Sequence, residues 1–216
     1  MKPLSIDVVS DVVCPWCYVG LRRLNQALDL YRSQHPQEPE PQVRWHPFQL
    51  NPELVPEGVP RAEYVRTKFG DRAGDVYDRV KAVGQSVGID FNFEGIARQP
   101  NTLIAHALIG VAEPGAEQHR LVQALFDAYF IDNLDLTQNP TLAQVAREAG
   151  LDDARIQEAL SDRGLHAQVS QADGQARAMG VTGVPFFIFN GGYAVSGAHE
   201  AEHLLQAMEQ ACDETE

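Results

Sequence analysis

Cysteine is scarce in this chain: three among 216 residues. That excludes the dense disulfide framework on which small secreted folds depend. Positive charge is short as well, with 17 Lys and Arg against 30 Asp and Glu and a formal net charge of -13. Nucleic-acid binding is driven mainly by Lys and Arg on phosphates, so this balance argues against nucleic acid as a partner and against anionic surfaces. Long hydrophobic runs are missing too, since none approaches the roughly 18 residues that a membrane span needs. The opening stretch, MKPLSIDVVS, breaks its apolar run at Ser5 and Asp7. It reads as a strand and not as the core of a signal peptide. The expectation is a cytoplasmic protein, in a compartment where structural disulfides are rare. What remains is ordinary for a globular chain: 44% hydrophobic and 22% charged residues, which makes disorder a poor description.

The chain begins with strand character in LSIDVVSDVV (4–13), bounded by Pro3 and Pro15. Tyr18, Leu21, Leu24, Leu28 and Tyr31 then recur at helical spacing, so a helix is predicted to about Gln34. The Pro-rich HPQEPEP stops it, and QVRWHPFQL (42–50) reads as a second strand. The middle is helical. Val76, Val80, Val83 and Val87 form one stripe; Leu103, Ile104, Ala107, Leu108 and Val111 form another; Leu121, Leu125, Phe126, Tyr129 and Phe130 form a third. Asn139-Pro140 and Gly150 bracket a further helix, and two more follow. Strand character returns in GVPFFIFNGGYAVSG (183–197), a hairpin around Asn190-Gly191-Gly192, and a last helix runs from 199 to about 211. The pattern describes an α/β domain made of residues 1–58 and 173–216, split by an all-helical insertion over 59–172.

Two of the three cysteines stand in SDVVCPWCYVG (10–20). A structural zinc site needs four ligands. A second cysteine pair is absent, and His199 and His203, spaced i, i+4, lie far along the chain on a predicted solvated helix, so no metal is expected. A disulfide closing so small a loop removes little unfolded-state entropy, which makes a structural staple a poor reading. A reacting dithiol explains more. Cys14 sits where a strand gives way to a helix, and Pro15 suits the first helical position because its missing N–H would be unpaired there anyway. Cys14 is then the cap residue, with the N–H groups of Trp16 and Cys17 expected to point toward its sulfur and favour the thiolate. Cys17 is one turn along, near the Cα separation of about 5.5 Å that a disulfide requires. Val184-Pro185 precedes the hairpin. Pro185 either starts a strand in trans or forms a cis peptide facing the cysteines, which would leave the backbone of Val184 to pair with an extended thiol substrate.

Taken together, SDVVCPWCYVG, WHPFQLNPE, QPNTLIAH, LFDAYFIDNLDL and GVTGVPFFIFNGGYAVSGA resemble the DsbA family of thioredoxin-like oxidoreductases, and more narrowly its FrnE-like branch. The resemblance covers nearly the whole chain. It implies a thioredoxin fold with an all-helical domain inserted between its two halves, the active site in the cleft between them, Cys14 and Cys17 as the redox pair, and a cis Pro185. It implies thiol-disulfide exchange on protein or small-thiol substrates, with no tightly bound cofactor and glutathione as a possible substrate. Trp16 stands where DsbA itself has a histidine, and takes a role in potential and substrate contact. Cys212 alone remains where some FrnE-like proteins carry a second pair, and reads as a bystander. Asp7, on the first strand below the cysteines, resembles the buried acid that accepts a proton in such proteins; Asp11 is the other candidate for that place.

The same architecture is also similar to the hydroxychromene-carboxylate isomerases and kappa-class glutathione transferases, in which a serine replaces the first cysteine and glutathione is bound. Asn51 in WHPFQLNP, Asn101, and Ser196-Gly197-Ala198 fit that relationship. On this reading Ser196 to Ala198 open a helix whose N–H groups hold a glutathione carboxylate; an ordinary helix cap explains the same residues. A resolving thiol at Cys17 favours redox exchange, because an isomerase has no use for one. A non-enzymatic helical module leaves both the cysteines and Gly-Val-Pro unexplained. Nothing in the sequence specifies an oligomeric state.

Overall fold

The computed structural model describes residues 3–213. The first unit is β1 (Ser5–Ser10), α1 (Pro15–Gln34) and β2 (Gln42–Pro47), with β2 parallel to β1. Next comes a short antiparallel ribbon, β3 (Val59–Pro60) and β4 (Arg98–Gln99), which flanks α2 (Arg61–Phe69) and α3 (Ala73–Ser86). The remaining helices of the middle are α4 (Leu103–Val111), α5 (Ala116–Phe130), α6 (Asn139–Glu148), α7 (Asp153–Ser161) and α8 (Arg163–Ala178). The chain closes with β5 (Phe186–Phe189), β6 (Tyr193–Ser196) and α9 (Ala201–Asp213). The main sheet has the order β2-β1-β5-β6, with β5 antiparallel to both β1 and β6.

β1 is central, and its sequence shows it. Ile6 and Val8 are wholly buried on one face, while Val9 packs on the other with Phe48, Ala176 and Val181. A strand covered on both faces reads as a near-continuous apolar run, and IDVV does so. The register stacks Trp45, Val8 and Phe187 side by side across three strands. The core continues into the inserted helices through aromatic rings: Tyr18 of α1 stacks on Phe126 of α5 at 5.1 Å and meets Phe91 edge-on at 5.9 Å. Such pairs contribute about 0.5–1.5 kcal/mol each beyond their burial. Burial and the neighbouring Asp127 carboxylate push the Tyr18 hydroxyl up to about 12, so it stays a donor to that carboxylate.

Several boundaries differ from expectation, each for a local reason. The first strand ends at Ser10 and not at 13, because the Cys14 N–H turns back to the Asp11 carbonyl at 3.0 Å. The second ends at Pro47 and not at 50. Past it, side-chain carboxylates replace the ladder: Gln49 donates its N–H to Asp173 at 2.8 Å and Leu50 donates to Asp11 at 2.7 Å. α6 takes Gln138 as its cap, one residue before the predicted Asn139. The last helix begins at Ala201, so Ser196, Gly197 and Ala198 do not open it; Ser196 ends β6. α8 runs unbroken through position 172 from Arg163, and the cap residue before it, Asp162, accepts the N–H groups of Gly164 and Leu165 with its side chain. Through Asp173 it reaches back to the loop after β2. Among the described residues no helix is long and apolar enough to cross a membrane.

Candidate active site

Cys14 is the cap residue of α1, in extended backbone at φ -94 and ψ 111, with Pro15 opening the helix as its fixed φ favours. The expected bonds from Trp16 and Cys17 N–H to its sulfur are not made. The Cys17 N–H goes to the Cys14 carbonyl at 3.0 Å, and the Cys14 side chain caps nothing. Cys14 is itself buried, and its sulfur meets the Val184 carbonyl at 3.6 Å. Val184-Pro185 is a cis peptide. Both Cys14 and Cys17 are free thiols.

Cys17 lies one turn further in and is buried. Burial is the main cause that raises its thiol well above the ordinary value of 9.0, with the Cys14 sulfur beside it acting in the same direction; the Asp11 backbone and the Ser10 side chain act the other way. The folded state thus favours a neutral Cys17. Its contribution to stability is complete below the thiol's ordinary range and is lost as pH rises through and beyond it, by at most about 1.4 kcal/mol per pH unit. Urea melts of the reduced protein between about pH 8 and about pH 10 should show a steeper loss than those of Cys17→Ala. Parallel losses would show that the thiol is not held neutral.

Gly20 brings α1 against the same place. A Cβ there would stand 2.9 Å from Pro185 Cγ and 3.2 Å from Phe187 Cζ, so only glycine lets the helix pass this close. Trp16 and Val184 are partly buried at the surface of the core, and Pro185 is buried. Asn51 sits in the loop after β2 with its side-chain amide nitrogen buried and without a partner among the described residues. Asn101 holds that loop by donating to the Leu54 carbonyl at 2.6 Å and accepting from Gln49 at 3.0 Å. The Gly197 N–H is already bonded to the Pro185 carbonyl at 2.8 Å, and Gly197 has φ 99, which favours glycine.

Asp7 is not a buried acid. Its carboxylate is partly exposed and bonds His46 Nε2 at 2.7 Å, on the side of β1 away from the cysteines' core. Asp11 is the fully buried carboxylate: it accepts the Leu50 N–H and lies 3.3 Å from His106 Nε2 of α4. His106 is not among the residues that sequence spacing singles out, because it stands 95 positions from Asp11 and nothing local announces the contact. His199 and His203 stack at 4.6 Å on the surface, and among the described residues no cluster of three metal-ligating side chains forms.

A cysteine pair one helical turn apart, at the start of the helix that follows the central strand of this sheet, defines a thioredoxin-fold protein of the thiol-disulfide oxidoreductase class. The chain belongs to the family of DSBA-like thioredoxin domains, whose model matches residues 5–209. It is similar to a probable DsbA oxidoreductase of Streptomyces coelicolor, at 28% identity and a TM-score of 0.85 over 98% of this chain and 91% of that one. It is 27% identical to the uncharacterised protein YwbO of Bacillus subtilis over 90% of both chains. A 2-hydroxychromene-2-carboxylate isomerase shares the fold at 16% identity and a TM-score of 0.69, over 98% of this chain and 97% of that one.

Proposed function

We propose that this chain exchanges disulfides through Cys14 and Cys17, with Cys14 attacking and Cys17 resolving, on protein or small thiols such as glutathione in the cytoplasm. The observation that carries this reading is the placement of Cys14: at the N-terminal end of α1, its sulfur against the Val184 carbonyl, with Cys17 a turn behind it. A substrate segment arriving extended displaces that contact and pairs with the Val184 backbone, while Pro15, Trp16, Pro185 and the Asn51 amide form its surroundings. The substrate sulfur is then in line with Cys14.

The rival reading, a glutathione-dependent isomerase or transferase, would draw on free N–H groups at Ser196 and Gly197. The Gly197 N–H is engaged with Pro185, and the helix starts only at Ala201, which leaves that reading little to hold a carboxylate. Insulin reduction by dithiothreitol and glutathione conjugation to an aryl halide, run on one preparation, separate the two. Catalysed insulin reduction that Cys14→Ser abolishes is the expected result. Conjugation that survives Cys14→Ser, with no insulin reduction, would reverse the assignment.

A further inference from the structure

Arg23 of α1 places a guanidinium where charge is expensive. Its side chain is 9% exposed, and arginine stays charged at any ordinary pH, so the fold must supply partners for it. One partner is the Glu200 carboxylate, whose own side chain is 69% exposed. An ion pair open to water on one side is worth little, so it does not explain the burial. The second partner does. Arg23 donates one outer nitrogen to the Glu200 carboxylate and the other to the Ala198 carbonyl, two points on the loop between β6 and α9. Its buried Nε has no partner among the described residues, so the two outer nitrogens carry all of its bonding there. Among those residues it is also the one α1 side chain hydrogen-bonded to this loop.

The loop leads directly to the reacting sulfur. Gly197, next to Ala198, donates its N–H to the Pro185 carbonyl at 2.8 Å, and the Val184 carbonyl on the other side of Pro185 meets the Cys14 sulfur at 3.6 Å. The loop is tied within itself as well. His199 donates its N–H to the Gly197 carbonyl at 3.0 Å, and its Nε2 bonds the Ser196 carbonyl at 2.9 Å. Glu200 accepts the Leu204 N–H at 3.2 Å, at the start of α9. On α1, Gly20 and Arg23 are neighbours at i, i+3, and Gly20 packs on Pro185 itself. The helix that begins beside Cys14 thus grips the Val184-Pro185 turn twice, by contact at Gly20 and through the loop at Arg23. We infer that Arg23 is a positioning residue for exchange with extended polypeptide disulfides: by bonding Ala198 and Glu200 it holds the 197–200 loop, and through Gly197 the Val184 backbone, in register with Cys14. The inference rests on the dithiol reading above. Backbone at Val184 helps only a substrate that has backbone of its own to pair with it. The effect of Arg23 therefore falls on peptide disulfides and spares compact ones.

The test compares two disulfides that release the same coloured aryl thiol from the reduced full-length protein carrying Cys212→Ser, so that only the pair reports. One is compact, 5,5′-dithiobis(2-nitrobenzoate). The other is an extended peptide whose single cysteine is blocked as the mixed disulfide with 2-nitro-5-thiobenzoate. Arg23→Met keeps the length of the buried side chain and removes its fork. It should raise the half-saturating concentration of the peptide disulfide by about fivefold to thirtyfold, the scale of one or two lost hydrogen bonds. The limiting rate, and the rate with the compact disulfide, should stay within about twofold, as for a lost interaction common to bound substrate and transition state. Gly197→Ala reaches the same turn from the other end and answers the question where Arg23→Met fails to fold. Alanine does not readily hold φ 99, so the Gly197 bond to Pro185 should be lost and the same selective effect should appear. Equal slowing of both disulfides in the folded variants, or slowing of neither, overturns the role of Arg23. If the parent protein releases aryl thiol from neither disulfide, the dithiol reading itself falls, which is a different outcome.

Discussion

Cys17→Ala is expected to leave the protein able to attack a disulfide and unable to let it go. The two sulfurs are unequal by position. Cys14 stands at the end of α1 with its sulfur on the Val184 carbonyl, a weak contact that an incoming substrate can replace. Cys17 is buried in the core and is held protonated there, so it is a poor first attacker and becomes useful only once a disulfide stands beside it. Without it, the mixed disulfide at Cys14 has no intramolecular exit. Turnover should fall by about a thousandfold or more, the scale found when one member of a cooperating catalytic set is removed. The adduct should accumulate and appear as a mass increase equal to one substrate thiol, and a reducing agent should remove it. Cys14→Ser should lose turnover to the same degree and trap nothing. Adducts on Cys17 in the Cys14→Ser variant would mean that the roles are exchanged.

Much of this site is legible in the sequence because it is local. The cysteine spacing, the proline after Cys14 and the hairpin signal after Pro185 each act within a few residues, and each positions what it announces. What fails is whatever depends on contacts far along the chain. Asp7 and Asp11 look equivalent as carboxylates near the cysteines. Asp7 lies within the strand, where the two-residue period sends it away from Ile6 and Val8 and toward His46. Asp11 follows the strand's last residue, so the turn carries its side chain inward to Leu50 and His106. No pattern in either segment predicts that meeting. The end of β2 is hidden for the same reason. QVRWHPFQL continues to read as strand past Pro47, but Asp173, more than a hundred positions on, accepts the Gln49 N–H in place of a neighbouring strand. Gly197 looks like a free helix end only while its bond to Pro185 is unknown.

Gly20→Val is expected to damage stability and exchange together, although valine is the better helix former. A glycine inside a helix costs about 1 kcal/mol relative to alanine, so substitution at an open position should stabilise. Gly174 on α8 is such a position, where an added methyl group would meet nothing within 4 Å, and Gly174→Ala should raise unfolding free energy by up to about 1 kcal/mol. At Gly20 the sign reverses. The new carbon would press on Pro185 Cγ at 2.9 Å and Phe187 Cζ at 3.2 Å, and both belong to buried residues that pack on α1. Neither a pyrrolidine ring nor a core phenylalanine can turn aside as a surface lysine would, so overpacking should cost about 1–3 kcal/mol for valine. The same push acts on the residue bonded to Val184, whose carbonyl faces the Cys14 sulfur. Insulin reduction should therefore drop by about tenfold or more, since small misplacements at reacting groups carry large rate penalties. Urea melts and exchange rates measured on Gly20→Ala, Gly20→Val and Gly174→Ala test this directly. If Gly20→Ala stabilises the chain as Gly174→Ala does, α1 and Pro185 are not in the close contact on which the geometry of the cysteine pair depends.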